Sequence, residues 1–287
     1  GGEVAAAAIL REPGVVRRLA FHAAGCRAVQ LALEVVDRRT AAQLATALRG
    51  SVAEAIKSPH ANYVLQKIIK VLAPQEFPFV IEELAHASLD LARHEYGCRI
   101  YCRLLEHCAT EKATAHLMDE VLLETEELLR HTYGHHVVEC ALEHGLPHQQ
   151  RQIVATLRRD LMRFSRNRSA AHVVEKALLY GNQDDRQSLA LDLLSHSPEE
   201  IAGLARSQFG SMVVRALLRL SGQITELAQQ HLRTDAAQTQ LKGTKLGRRL
   251  LDTPSGSGNT SSKAGGGRHR DHDRDRLRQH VFSAAGA

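Results

Sequence analysis

The chain has 287 residues, 44% of them hydrophobic, which is enough for a sizeable buried core and excludes a chain disordered throughout. Aromatic residues make up only 4% and Trp is absent, so the apolar content is Leu, Ala, Val and Ile, which suits helix-on-helix packing better than a β-sandwich. A net charge of +5 and a pI near 9.1 permit nucleic-acid binding without establishing it.

The chain begins at Gly1 and has Met only at 118, 162 and 212, so a fragment with its N-terminal part missing is expected. Residues 1–13 read as a remnant of an earlier unit or a flexible N-terminus. Five cysteines, Cys26, Cys98, Cys102, Cys108 and Cys140, are an odd, scattered set, and no secretory-type apolar stretch opens the sequence. No apolar run approaches the roughly 18 residues of a membrane span. A soluble protein of a reducing, intracellular compartment is expected.

From there the chain repeats itself. The segments are AGCRAVQLAL from Ala24, HANYVLQKII from His60, YGCRIYCRLL from Tyr96, YGHHVVECAL from Tyr133, SAAHVVEKAL from Ser169 and FGSMVVRALL from Phe209. Taking Cys26, Asn62, Cys98, His135, Ala171 and Ser211 as reference residues gives spacings of 36, 36, 37, 36 and 40. A small residue precedes each: Gly25, Ala61, Gly97, Gly134, Ala170 and Gly210. It leaves room for a neighbouring helix to approach closely. Apolar pairs follow two and three residues later (Ala28/Val29, Val64/Leu65, Ile100/Tyr101, Val137/Val138, Val173/Val174, Val213/Val214). Leu33, Ile69, Leu105, Leu142, Leu178 and Leu218 follow at plus seven, and these offsets define one buried helical stripe.

Upstream amphipathic runs such as Leu44, Leu48 and Val52 complete a unit of two or three helices. A unit of about 36 residues cannot bury its own apolar face and must stack on its neighbours. The expected fold is an all-α solenoid over residues 14–253. The longer step before Ser211 reads as a longer polar loop between Asn182 and Pro198, and Gly247-Arg248 as the start of a further unit. Residues 254–287 turn to Ser and Gly and then to alternating charge. Six basic and three acidic residues there carry +3 of the net charge, and a disordered tail dispensable for folding is expected.

Helical repeats alone do not give a function. Polar variation concentrates at the reference position, the next and the fourth: Cys26-Arg27-Gln30, Asn62-Tyr63-Gln66, Cys98-Arg99-Cys102, His135-His136-Glu139, Ala171-His172-Glu175 and Ser211-Met212-Arg215. These positions are expected to be exposed on one face. Two polar groups one turn apart can straddle a base edge, and a flat or long residue between them can stack on its ring.

In the strings HANYVLQK, YGCR with LLEHC, YGHHVVECALEHG and AAHVVEKAL the chain resembles recognition helices of the Pumilio (PUF) family, strongly in the middle and less at both ends. By order the segments resemble the third to eighth repeats of an eight-repeat domain, with a C-terminal cap around Arg248 to Asp252 and two repeats missing. The resemblance implies a right-handed superhelix of three-helix repeats binding single-stranded messenger RNA, one base per repeat. It implies base-edge contacts from Cys26, Gln30, Asn62, Gln66, Cys98, Cys102, His135, Glu139, Ala171, Glu175, Ser211 and Arg215. Stacking is implied for Arg27, Tyr63, Arg99, His136, His172 and Met212.

By the same resemblance Asn62 with Gln66 reads uracil, Cys26 with Gln30 adenine, and Glu175 guanine. Ala171 stands where the family has Ser, Cys102 where it has Gln, and His135 with Glu139 where it has Asn and Gln. Ser211, Met212 and Arg215 lack both edge readers and an aromatic stacker. With the RNA 5′ end at the C-terminal repeat, the implied order is N, G, N, weak A, U, A, compatible with UGUA-type 3′ UTR elements. Translational repression or messenger RNA decay in the cytoplasm is the implied outcome, by a monomer with protein effectors on its convex face.

Two other readings remain open: a weakly specific RNA-binding repeat protein of nucleolar ribosome assembly, and a protein-binding solenoid scaffold. No enzyme is expected, since no Ser/His/Asp arrangement stands out. His131, His135, His136 and His144 with Glu139 suggest a metal cluster, but there is no HExxH and no CxxC pair, and the repeat accounts for His135 and Glu139. No metal or cofactor is expected.

Overall fold

The computed structural model describes residues 14–244 and 247–248. The described residues form nineteen α-helices and one short 3-10 turn, without a strand. Eighteen of the helices fall into six triplets. The first is α1 (Val15–Phe21), α2 (Gly25–Val35) and α3 (Arg38–Thr46), and the second α4 (Val52–Lys57), α5 (Ala61–Val71) and α6 (Pro78–Ala85). The third is α7 (Ser88–Ala92), α8 (Gly97–Cys108) and α9 (Lys112–Leu122), and the fourth α10 (Thr125–Arg130), α11 (Gly134–His144) and α12 (Pro147–Arg159). The fifth is α13 (Leu161–Arg166), α14 (Ala170–Tyr180) and α15 (Gln183–Leu194), and the sixth α16 (Pro198–Arg206), α17 (Gly210–Arg219) and α18 (Gln223–Arg233). A final helix, α19 (Asp235–Lys242), takes the place of a seventh triplet's first member.

Sequence signals set these boundaries. Proline begins α6, α12 and α16, where its missing N–H is no loss. Asp37 Oδ1 accepts from Thr40 N at 3.1 Å to open α3, and Ser197 and Glu200 form a reciprocal capping box at α16.

The second helices pack side by side in chain order, α2 on α5, α5 on α8, α8 on α11, α11 on α14 and α14 on α17. The third helices make a parallel layer from α6 to α18, and each short first helix is wedged against the second helix of its own triplet. The core runs unbroken between the layers. The expected apolar stripe is buried throughout, except that Ala28 is exposed and Leu218 half-buried. Each fully buried Leu, Ile or Val contributes roughly 1.5–3 kcal/mol, and neighbouring triplets share in that burial through their second and third helices.

The long loop expected between Asn182 and Pro198 is not there. Asn182 Oδ1 accepts from Asp185 N at 2.9 Å and starts α15, whose Leu189, Ala190, Leu193 and Leu194 are buried. The polar residues that suggested a loop occupy its exposed side. The longer repeat comes instead from α16, nine residues where α4, α10 and α13 have six. The readings made for residues 1–13 and 254–287, and for most of the cap after Arg248, lie outside the described residues.

Candidate nucleic-acid interface

Each second helix begins in the same way. Four residues before every reference position a side-chain acceptor receives backbone N–H groups from the helix start: His22 Nδ1 from Gly25, Ser58 Oγ from Ala61, His94 Nδ1 from Tyr96, and His131 Nδ1 from Gly134. Asn167 Oδ1 from Ala170, Ser207 Oγ from Gly210 and Thr244 Oγ1 from Gly247 continue the series. These donors would otherwise be orphaned at the helix N-terminus. The sequence reading passed over this position because its residue types differ. Their shared property is an acceptor atom, and for histidine that requires the neutral Nε2–H tautomer.

The small residue before each reference position is held against the preceding short helix. A Cβ at Gly97 would sit 1.9 Å from the Leu91 carbonyl oxygen, at Gly25 2.6 Å from that of Leu19, and at Gly247 2.3 Å from that of Leu241. This contact fixes the angle at which every second helix leaves its turn. All six reference residues therefore occupy the second position of six adjacent helices, at one end of one layer.

The expectation of exposure fails at the reference position itself. Cys26, Asn62, Cys98, His135, Ala171 and Ser211 are all buried. Where they are polar they turn back onto the preceding turn: Asn62 Nδ2 donates to the Ser58 carbonyl at 2.7 Å, and Ser211 Oγ to that of Gln208 at 3.1 Å. His135 Nδ1 lies 2.9 Å from the His131 carbonyl, and the Cys26 and Cys98 thiols donate to Ala23 and Glu95. Cys102 is buried as well, its thiol donating to the His136 carbonyl on α11 at 3.5 Å. A side chain that serves its own helix start, or a helix neighbour, has little surface left for a ligand.

The next and fourth positions form the accessible face. Arg27, Tyr63, His172 and Arg215 are exposed, and Gln30, Gln66, Arg99, His136, Glu139, Glu175 and Met212 are partly so. Gln66 Nε2 donates to Asn62 Oδ1 at 3.0 Å, Gln30 Nε2 to the Cys26 carbonyl at 3.1 Å, and Arg99 lies over the Tyr96 ring at 5.8 Å. Neighbouring triplets meet here too, since the His135 and His172 rings stack at 6.1 Å.

Charge on this face is tuned by burial. Burial raises the Glu175 carboxyl above its ordinary value, partly offset by His172, Arg215 and Arg219. Burial also pushes Glu139 upward, but His136, His135 and Lys176 outweigh it and the net shift is down. The face can thus offer aromatic and guanidinium surfaces for stacking, with carboxylates and amides beside them as acceptors and donors.

Fold and site together define a helical-repeat solenoid that presents one helix start per repeat. The family model for the Pumilio-family RNA binding repeat matches residues 16–48, 52–85, 89–122, 126–157 and 162–194, more than half of the chain. The chain belongs to the Pumilio (PUF) repeat family. The sixth triplet continues the same helix order beyond the five matched repeats.

Among curated relatives, a Pumilio domain-containing protein of Schizosaccharomyces pombe is 22% identical over 81% of this chain and 34% of its own length. Fem-3 mRNA-binding factor 2 of Caenorhabditis elegans is 25% identical over 68% of this chain and 35% of its own length. The chain thus spans about a third of these relatives. Among solved structures, PUF-8 in complex with PBE-RNA superposes with a TM-score of 0.78 at 23% identity, covering 87% of this chain and 74% of that one. The Puf3 RNA binding domain bound to a Cox17 3′ UTR sequence gives 0.74 at 24% identity, covering 82% and 72%.

Proposed function

We propose that the chain binds single-stranded messenger RNA sequence-specifically, one base per repeat, at UGUA-type 3′ UTR elements, and thereby represses translation or promotes decay. The observation that carries this reading is the row of six equivalent helix starts, each offering on one face the residue after its reference position and, in all but the Cys98 repeat, the fourth residue beyond it. Solved neighbours named as bound to 3′ UTR sequences support the same assignment. In this reading the protein acts in the cytoplasm as a monomer, with effector proteins on the opposite layer. Selection of bound RNAs from a random pool tests it: a short motif with U and A opposite the Asn62 and Cys26 repeats is expected, and absence of any enriched motif overturns it.

The burial of Cys102, and the lack of edge readers around Ser211, favour a second reading in which selectivity is relaxed. A flat base preference across all six positions, together with nucleolar localisation, would place the protein among weakly specific factors of ribosome assembly instead.

A further inference from the structure

We propose that His135, His136 and Glu139 on α11 form a binding site for a zinc-class divalent metal ion, with water completing the coordination. One donor atom from each of the three lies within 4.8 Å of the others. His136 Nδ1 and Glu139 Oε2 are 3.7 Å apart, while donors around a tetrahedral zinc ion at ~2.0–2.1 Å are about 3.3 Å apart, so a small side-chain adjustment closes the site. All three side chains come from little more than one turn of a helix anchored by buried Val137, Val138, Ala141 and Leu142. The scaffold is therefore rigid. The sequence alone argued against a metal here because it shows no zinc-protease or paired-cysteine motif.

The state of each donor suits a metal. His135 Nδ1 faces the His131 carbonyl, which can only accept, so that nitrogen carries the proton and Nε2 keeps its lone pair. An imidazole held through its other nitrogen by a backbone carbonyl is the usual arrangement of a metal-binding histidine. His136 Nδ1 is buried and has no hydrogen-bond partner among the described residues. Such an orphaned nitrogen is costly unless something binds it.

Glu139 brings its carboxylate to the same spot, partly buried beside His136. Two imidazoles and one carboxylate match zinc better than magnesium or calcium, which prefer all-oxygen sites. The Cys98 thiol is a poor competitor, since it is buried and turned onto the Glu95 carbonyl.

The test is a zinc titration of the full, reduced 287-residue chain against a chromophoric chelator, alongside His135→Asn and Glu139→Gln. Asn at 135 should fold, because Asn62 holds the equivalent place and donates to the carbonyl four residues back. Wild type is expected to bind one equivalent that both variants lose or bind at least about tenfold more weakly. All other histidines are common to the three proteins and cancel in the difference. Cobalt in place of zinc should give visible bands without thiolate charge transfer, and Cys140→Ser should bind as wild type does. Equal zinc binding by wild type and both variants, or thiolate charge transfer that Cys140→Ser abolishes, would overturn the proposal.

Discussion

Asn62 and Gln66 are bonded to each other, the Gln66 amide donating to Asn62 Oδ1 at 3.0 Å while Asn62 anchors itself to the Ser58 carbonyl. The pair is a preset unit: Asn62 orients Gln66, and only Gln66 has surface to meet a ligand. Changing both together, Asn62→Ser with Gln66→Glu, should shift preference at that one base from uracil toward guanine. A carboxylate accepts where the amide could donate, and guanine offers two donors on that edge. Affinities for RNAs differing at that single base check the swap, and equal effects at every base would show that this face does not read sequence.

Tyr63 lies beside that pair and is exposed, with 44% of its surface open. Tyr63→Ala should weaken RNA binding by about 1–3 kcal/mol with little change in base choice, because stacking tolerates any base. Unchanged affinity in a filter-binding or fluorescence titration would remove Tyr63 from the interface.

The cap at His131 makes stability depend on pH. His131 Nδ1 accepts from Tyr133 N and Gly134 N at 3.2 and 3.1 Å, and burial, with Arg93 nearby, lowers its pKa. Protonation would turn that acceptor into a donor facing two donors. With the folded pKa below the unfolded value of about 6.5, the stabilisation is complete above about 6.5 and is lost as pH falls through the folded pKa. His131→Asn should keep the cap, as Asn167 does in its own repeat, and flatten the stability profile below pH 6.5. His131→Ala should cost about 0.5–2 kcal/mol at pH 8. Denaturant midpoints across pH 5 to 8 measure both effects, and a wild-type profile no steeper than that of the Asn variant would contradict the argument.

Two glycines should respond in opposite directions. Gly97→Ala drives a methyl into the Leu91 carbonyl, with backbone on both sides of the clash, and should cost at least about 1–3 kcal/mol. Gly203, inside α16, has nothing within 4 Å of an added Cβ, so Gly203→Ala should stabilise by about 0.5–1 kcal/mol. Thermal melts of the two variants with the same sign would refute the packing assignment.

Much of this was legible in the sequence because stacking identical units forces identical constraints. The Val64, Leu65 and Ile69 stripe and the small residue at Gly25 or Gly97 recur for that reason. Part of what stayed hidden depends on partners far away in sequence. Cys102 looked like a surface reader until α11 covered it, and the polar side of α15 disguised a helix as a loop. The capping series was invisible to residue-type matching, since His131, Asn167, Ser207 and Thr244 share an atom's role and not a side chain. The meeting of His135, His136 and Glu139 was readable as spacing, but not the orphaned nitrogen that distinguishes a site from a coincidence.

The acceptor four residues before each reference position also bears on how such a chain can grow. Each second helix is closed at its start by a residue from its own turn, so a unit cut between equivalent points carries its closure with it. Deleting or duplicating about 36 residues by unequal recombination would then join one sound helix start to another. Lineages could in this way lengthen or shorten the array a whole step at a time. The mixture of His, Asn, Ser and Thr at that point shows that the closure asks for an acceptor atom and not for one residue type.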